Sequence, residues 1–233
     1  MRLDKFLANM GYGSRKDVKT LLKKKRITVN DQMIRKADIQ IDPDKDQVKC
    51  DDKVIQYQEY IYLMLHKPAG YLSATEDQRQ KTVLDLIKKQ DKVLSPFPVG
   101  RLDKDTEGLL LLTNDGQLAH ELLSPKKHVD KTYIARLAKT ITDNDIKQFA
   151  EGVMLEDGYV TKPARLKAVE DKMVEITITE GKFHQIKRMF EAVDNSVLYL
   201  KRLSMGSLQL DEKLNLGEYR ELTTEEVDQL SSK

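Results

Sequence analysis

Apolar residues at Leu3, Phe6, Leu7 and Met10 recur at i, i+3, i+4 and i+7, which predicts a short amphipathic helix ended by the glycines at positions 11 and 13. Ser14-Arg15-Lys16-Asp17 has the form of a capping box, and Val18, Leu21 and Leu22 give the helix behind it a narrow apolar stripe. Alternation over Ile27-Thr28-Val29 predicts a strand, and Asn30-Asp31 a tight turn before Met33 and Ile34. Beyond residue 60 the period switches repeatedly. Strands are predicted at 61–65, 109–112, 133–137 and 173–178, and helices at 83–89, 117–123, 143–151 and 184–193. Short strands mixed with short helices, without an internal repeat, make the chain α+β. Asp42-Pro43-Asp44-Lys45-Asp46 is rich in turn formers and Tyr57-Gln58-Glu59 reads as a linker, so a small domain over 1–58 precedes a larger one over 59–233.

The four leucines at 109–112 have no period-2 alternation and are too few for a striped helix. They predict a central strand covered on both faces, which Asn114-Asp115-Gly116 then turns away. The polar loop G-R-L-D-K-D-T-E-G at 100–108 runs straight into it. Arg101 and Asp103 are two apart and, if extended, share a face, which sets a cation beside an acid at the mouth of a core. Asp105 and Glu107 continue the alternation and are equal candidates on the loop alone. A glycoside hydrolase would use two such carboxylates across one bond, but the chain has no Trp for sugar stacking. His66, His120, His128 and His184 lack the spacing of a metal site, and there is no glycine-rich phosphate loop.

Charge changes the picture through its distribution. The net value for 233 residues is only +2, yet residues 1–36 hold eleven Lys and Arg against three Asp. Residues 38–59 reverse this, with seven acids and three lysines. Arg2, Lys5, Arg15, Lys16, Lys19, Lys23, Lys24, Lys25 and Arg26 are therefore expected to meet a polyanion, because such an excess repels itself otherwise. A single cysteine, Cys50, excludes an internal disulfide and fits a reducing compartment. With charged residues throughout the first twenty positions and no membrane-length apolar run, a cytoplasmic, membrane-free protein is expected.

The segment E-G-K-F-H-Q-I-K-R-M-F-E at 180–191 places Ile186, Met189, Phe190 and Val193 on one helical face and leaves His184, Lys187, Arg188 and Glu191 on others. Periodicity alone does not separate this from an ordinary surface helix.

Two resemblances decide what the chain is expected to do. R-L-D-K-F-L-A at 2–8, S-R at 14–15 and K-R-I-T-V-N at 25–30 resemble the S4 RNA-binding domain, which implies contact with structured RNA. The loop at 100–116 resembles the pseudouridine synthases, together with H-K-P-A-G at 66–70, K-T-Y at 131–133, T-K-P-A at 161–164, the segment at 180–190 and G-E-Y-R-E-L at 217–222. Within them it is similar to the RsuA branch, in which an S4 domain precedes a catalytic domain built on a mixed, mainly antiparallel sheet.

That resemblance implies isomerisation of uridine to pseudouridine in small-subunit 16S ribosomal RNA, without cofactor or metal. It implies Asp103 as the catalytic aspartate, Lys187 as the cation that keeps it ionised, and Tyr133 as the ring against the uracil. Arg101 would fill the gap left by a flipped base or grip its phosphate, Ile186 would give an apolar wall, and Arg188 a further substrate contact. Lys67 is expected to support the fold, with RNA contact open to it, and Asp105 and Glu107 to be supporting or solvent-facing. The expected partner is ribosomal RNA or a small-subunit assembly intermediate, bound by a monomer. A 23S target and a non-catalytic assembly factor are the alternatives.

Overall fold

The computed structural model describes residues 1–124 and 127–231, which fall into two compact units. The first comprises residues 1–61 together with 88–96, and the second 62–87 and 97–233. A distant nine-residue segment thus belongs to the first unit.

In the first unit, helices α1 (Leu3–Asn9) and α2 (Arg15–Lys23) accompany a four-stranded sheet of β1 (Ile27–Val29), β2 (Gln32–Met33), β3 (Val48–Cys50) and β4 (Lys53–Ile55), in the order β2-β1-β3-β4. Leu3, Phe6 and Leu7 of α1 and Val18 and Leu22 of α2 meet Ile27, Val29 and Val48 in one buried core. The capping box forms as expected: the Ser14 hydroxyl accepts from the Asp17 amide and Asp17 accepts from the Ser14 amide at 2.9 Å. Segment 88–96 carries α3 (Lys89–Lys92), and a side chain at Gly11 would collide with Val93, so glycine is required there by space as well as by its φ of +79°.

The second unit is a nine-stranded sheet. Its path is β13 (Tyr219–Glu221), β5 (Tyr62–Lys67), β7 (Glu107–Thr113), β11 (Val197–Met205), β8 (Lys131–Leu137), β10 (Met173–Ile178) and β9 (Arg165–Glu170). The short strands β6 (Phe97–Pro98) and β12 (Leu208–Gln209) pair with β7 and β11. Among the described residues only β7 and β11 pair as parallel strands; the other strand pairs are antiparallel, so the sheet is mixed and mainly antiparallel. Helices α4 (Gly116–Leu123), α5 (Asp143–Glu151), α6 (Gln185–Glu191) and α7 (Thr224–Ser231) complete it.

Leu109, Leu110, Leu111 and Leu112 are all fully buried in β7, so the leucine run is the doubly covered strand its pattern predicts. Asn114-Asp115 leads into a helix rather than a hairpin, because the Asp115 carboxylate caps α4 by accepting from the Leu118 amide at 3.0 Å. The helix expected over 83–89 is instead a single 3-10 turn, Val83–Leu86, separated from α3 by an extended Ile87. Val83, Leu84 and Ile87 are buried while 88–92 is polar, so no single face could serve both halves.

Candidate active site

One row across the sheet sets the site. Arg202 on β11 is in register with Gly108 on β7 and Tyr133 on β8, which brings Tyr133 to the level at which the 100–106 loop enters β7. The parallel pairing is close enough that a Cβ at Gly108 would lie 2.2 Å from the Arg202 carbonyl oxygen, and φ at Gly108 is +106°. Only glycine meets both conditions.

The loop is held from beneath by Lys67. This side chain is fully buried, and its ammonium donates to the carbonyls of Pro68, Asp103, Lys104 and Thr106 at 2.8–3.3 Å. Burial draws Lys67 down to about 8, against the opposing charges of Asp105, Asp103 and Glu107. The expected supporting role stands, but RNA contact does not, since the side chain has no exposed surface. The Asp103 carbonyl also accepts from the Thr106 amide at 3.1 Å, closing the loop into a tight turn.

Above this floor the Asp103 carboxylate faces two basic groups: Lys187 Nζ at 3.2 Å and His184 Nε2 at 3.7 Å. Lys187 is shared, donating also to both Asp105 oxygens at 2.7 and 2.9 Å. Burial pulls the Lys187 ammonium down, yet its bonds to Asp105 and the charge of Asp103 outweigh this and hold it above its ordinary value. Asp105, expected merely to support or to face solvent, is thus a direct partner of the pocket cation. Glu107 lies to the side, accepting from the Tyr199 hydroxyl at 2.8 Å.

Asp103, Arg101, Tyr133, Ile186 and Lys187 line one pocket, which Ile178 and Leu200 wall with apolar surface. Arg101 is exposed, whereas Tyr133 and Ile186 are buried to within a few per cent. Arg188 is not brought in. It follows Lys187 on α6 and so points about 100° away, pairing with Asp157 beside a different depression.

The segment before α6 is fastened by a buried carboxylate. Glu180 accepts from the Tyr159 hydroxyl at 2.7 Å, the Lys162 amide at 3.0 Å and the Gln185 side-chain amide at 2.7 Å. Gln185 in turn accepts from the Lys182 amide at 2.9 Å. These bonds hold His184 in the left-handed region, with φ of 49°, as the residue preceding α6, which begins at Gln185. Sequence reasoning missed His184 and Asp105 as neighbours of the Asp103–Lys187 pair. For His184 the available signal was its place three residues before Lys187 in the segment expected to be helical.

In the first unit, Lys5, Arg15, Lys16, Lys19, Lys23, Lys24 and Lys25 are exposed. Arg2 and Arg26 are exposed as well, and each is paired with an acid. Arg2 pairs at 2.8 Å with the buried Asp4, and Arg26 forms a forked pair with Asp51.

Comparison with known proteins identifies the family. The RNA pseudouridylate synthase family matches residues 61–192, and the S4 domain matches residues 1–48. An RNA pseudouridine synthase of Bacillus subtilis, described as uncharacterized, is 53% identical over 235 residues, covering 99% of this chain and 98% of the relative. The ribosomal small subunit pseudouridine synthase A of Escherichia coli K12 is 40% identical over 228 residues, 97% of this chain and 98% of its own. A crystal structure of a pseudouridylate synthase superposes with a TM-score of 0.70 at 37% identity, covering 99% of both chains.

Proposed function

The chain belongs to the RNA pseudouridylate synthases, as an enzyme of the RsuA type with an S4 domain, and on that premise we propose that it isomerises a specific uridine of 16S ribosomal RNA with Asp103 at the reacting centre. The observation that carries the assignment is the pocket in which the Asp103 carboxylate meets Lys187 at 3.2 Å, with Tyr133 on the wall.

The reaction breaks the bond from N1 of uracil to the ribose C1′, turns the base, and forms a bond from C5 to C1′. A proton leaves C5 and N1 regains one, so no electrons are exchanged. The target atoms are inaccessible in a stacked helix, and flipping the uridine costs about a few kcal/mol. Arg101, exposed at the rim, takes the vacated space or the phosphate of the flipped nucleotide. Ile186, Ile178 and Leu200 pack on the base and keep water out. Tyr133 lies against the uracil with its hydroxyl towards C5, where the proton departs.

Asp103 acts as an anion, as nucleophile or as proton acceptor, and either role needs its charge in a pocket that excludes water. An isolated carboxylate there would be expensive; Lys187 offsets that cost. Asp105 holds the ammonium between the two acids, so that its position does not depend on Asp103 alone.

Release of tritium from C5-labelled uridine in 16S ribosomal RNA tests the proposal. Asp103→Asn keeps the shape and removes the charge, so the rate should fall by at least about a thousandfold while RNA binding and folding persist. Asp105→Asn should stay within about tenfold of wild type. Near wild-type turnover by Asp103→Asn would reject the assignment, and pseudouridine appearing in 23S rather than 16S RNA would move the target.

A further inference from the structure

Among the described residues, Phe183 is the most exposed large hydrophobic side chain, with 77% of its surface open to solvent. It is nevertheless placed. Its ring stacks on His184 with centroids 3.8 Å apart and planes 18° from parallel, while His184 itself faces Asp103. One face of the phenyl ring is therefore backed, and its exposure leaves the other uncovered.

Phe183 lines a cleft of about 530 Å³, a volume in the range of ligand-binding clefts. The pocket at Asp103 offers only about 70 Å³. The two share Arg101, Leu102, Asp103, Gly181, Lys182 and His184 and form one continuous depression. Its outer part is positively charged. Arg101, Lys104 and Lys182 line it; Lys104 donates to the Gln80 amide oxygen at 2.8 Å and also feels the charge of Asp77, while Lys182 stands over the neutral Tyr159 ring at 4.9 Å. A π-face beside three cations matches single-stranded nucleic acid, whose bases stack while its phosphates pair.

We infer that Phe183, backed by His184, is the stacking platform for a nucleobase flanking the target uridine. The inference deepens the proposed function and rests on it. Flipping one nucleotide breaks the stacking of its neighbours as well as its own, and a platform at the pocket rim replaces what the displaced neighbour loses. Arg101, Lys104 and Lys182 then hold the backbone of the same short stretch.

The test uses full-length protein carrying Asp103→Asn, so that binding is measured without turnover, and a 16S ribosomal RNA transcript as probe. Phe183→Leu retains apolar bulk but has no π-face and should weaken binding by about tenfold or more. Phe183→Trp should bind at least as well as the parent. The salt dependence should be the same in all three, since every cation that meets a phosphate is still present. A transcript substituted with 5-bromouridine, irradiated with long-wave ultraviolet light, should crosslink to Phe183. Equal affinity of the Leu and parent proteins overturns the inference, as does failure of Trp to restore binding; either points to a protein partner for this ring or to none. If Phe183 proves necessary for binding while the wild-type enzyme releases no tritium, the platform stands and the proposed reaction falls. If the parent binds no RNA, both fall.

Discussion

Lys187 serves two carboxylates, and that sharing is the central electrostatic feature of the pocket. An ammonium is a compact point charge without the fork of a guanidinium, so it can sit between two acids in a position a bidentate Arg pair would not favour. Lys67 answers a different need. Three of its four carbonyl acceptors, those of Asp103, Lys104 and Thr106, belong to the turn that presents Asp103, so Lys67→Met should cost about 2–4 kcal/mol at neutral pH, seen as a lower urea midpoint. The pH dependence has a definite sign. Lys67 ionises at about 8 in the folded protein against 10.5 ordinarily, so between those values the unfolded chain binds more protons and folding stability rises with pH. Below about 8 both states are protonated and the contribution is flat. Lys131, also drawn to about 8 by burial and by Arg202, adds a slope of the same sign and remains in the variant. Urea midpoints at pH 7.5 and 9.5 should therefore rise in both proteins, and less in Lys67→Met.

At the scale of elements, the segment 180–185 and α6 act as one unit, because Glu180 ties both to Tyr159 and Lys162. Glu180→Gln should loosen this tie without touching substrate. An amide of similar size makes weaker bonds to the tyrosine and the main-chain amide, and it turns its own NH2 towards one of those donors. A shift of about 1 Å in Lys187 is enough to lower the rate by about a hundredfold. Hydrogen exchange at 181–184 should rise in the variant while the β7 amides stay protected; unchanged exchange with lost activity would rule out a positioning role. In α2, the narrow apolar stripe of Val18 and Leu22 commits one side to the core and leaves Lys16, Lys19 and Lys23 outward. Arg2 and Arg26 differ from these lysines in being paired with acids. Asp4 and Asp51 are each brought against an arginine by the fold.

For the whole molecule, the proposed RNA contact by the basic face of the first unit predicts affinity that does not depend on the reacting uridine. Replacing Lys16, Lys19 and Lys23 with Gln should weaken ribosomal RNA binding at low salt. It should also reduce the slope of log affinity against log salt by about 2–3, at roughly 0.7–0.9 for each phosphate no longer neutralised. Turnover at saturating RNA should remain near wild type, since the pocket lies wholly within the second unit. An unchanged salt slope would remove these lysines from the RNA-binding surface. No helix among the described residues is long and apolar enough to cross a membrane.

Local pattern is enough to specify the elements whose burial is one-sided or complete. The stripe of α1, the capping box of α2 and the leucine run of β7 are local patterns, and solvent exclusion acts on each without reference to distant chain. The sequence also marked Asp103, Tyr133 and Lys187, through motifs spread over more than eighty residues. What joins those residues is a matter of register. The parallel pairing of β7 with β11 and the antiparallel pairing of β11 with β8 bring Gly108, Arg202 and Tyr133 into one row, and no local pattern encodes which strands become neighbours. Tertiary structure likewise decided that Lys187 bridges Asp103 and Asp105, that Arg188 turns away to Asp157, and that Lys67 lies under the loop rather than on the surface. Each depends on where a charge finds its partner after the chain has folded. Burial makes an unpaired charge too costly to leave, but the sequence does not say which partner will be near.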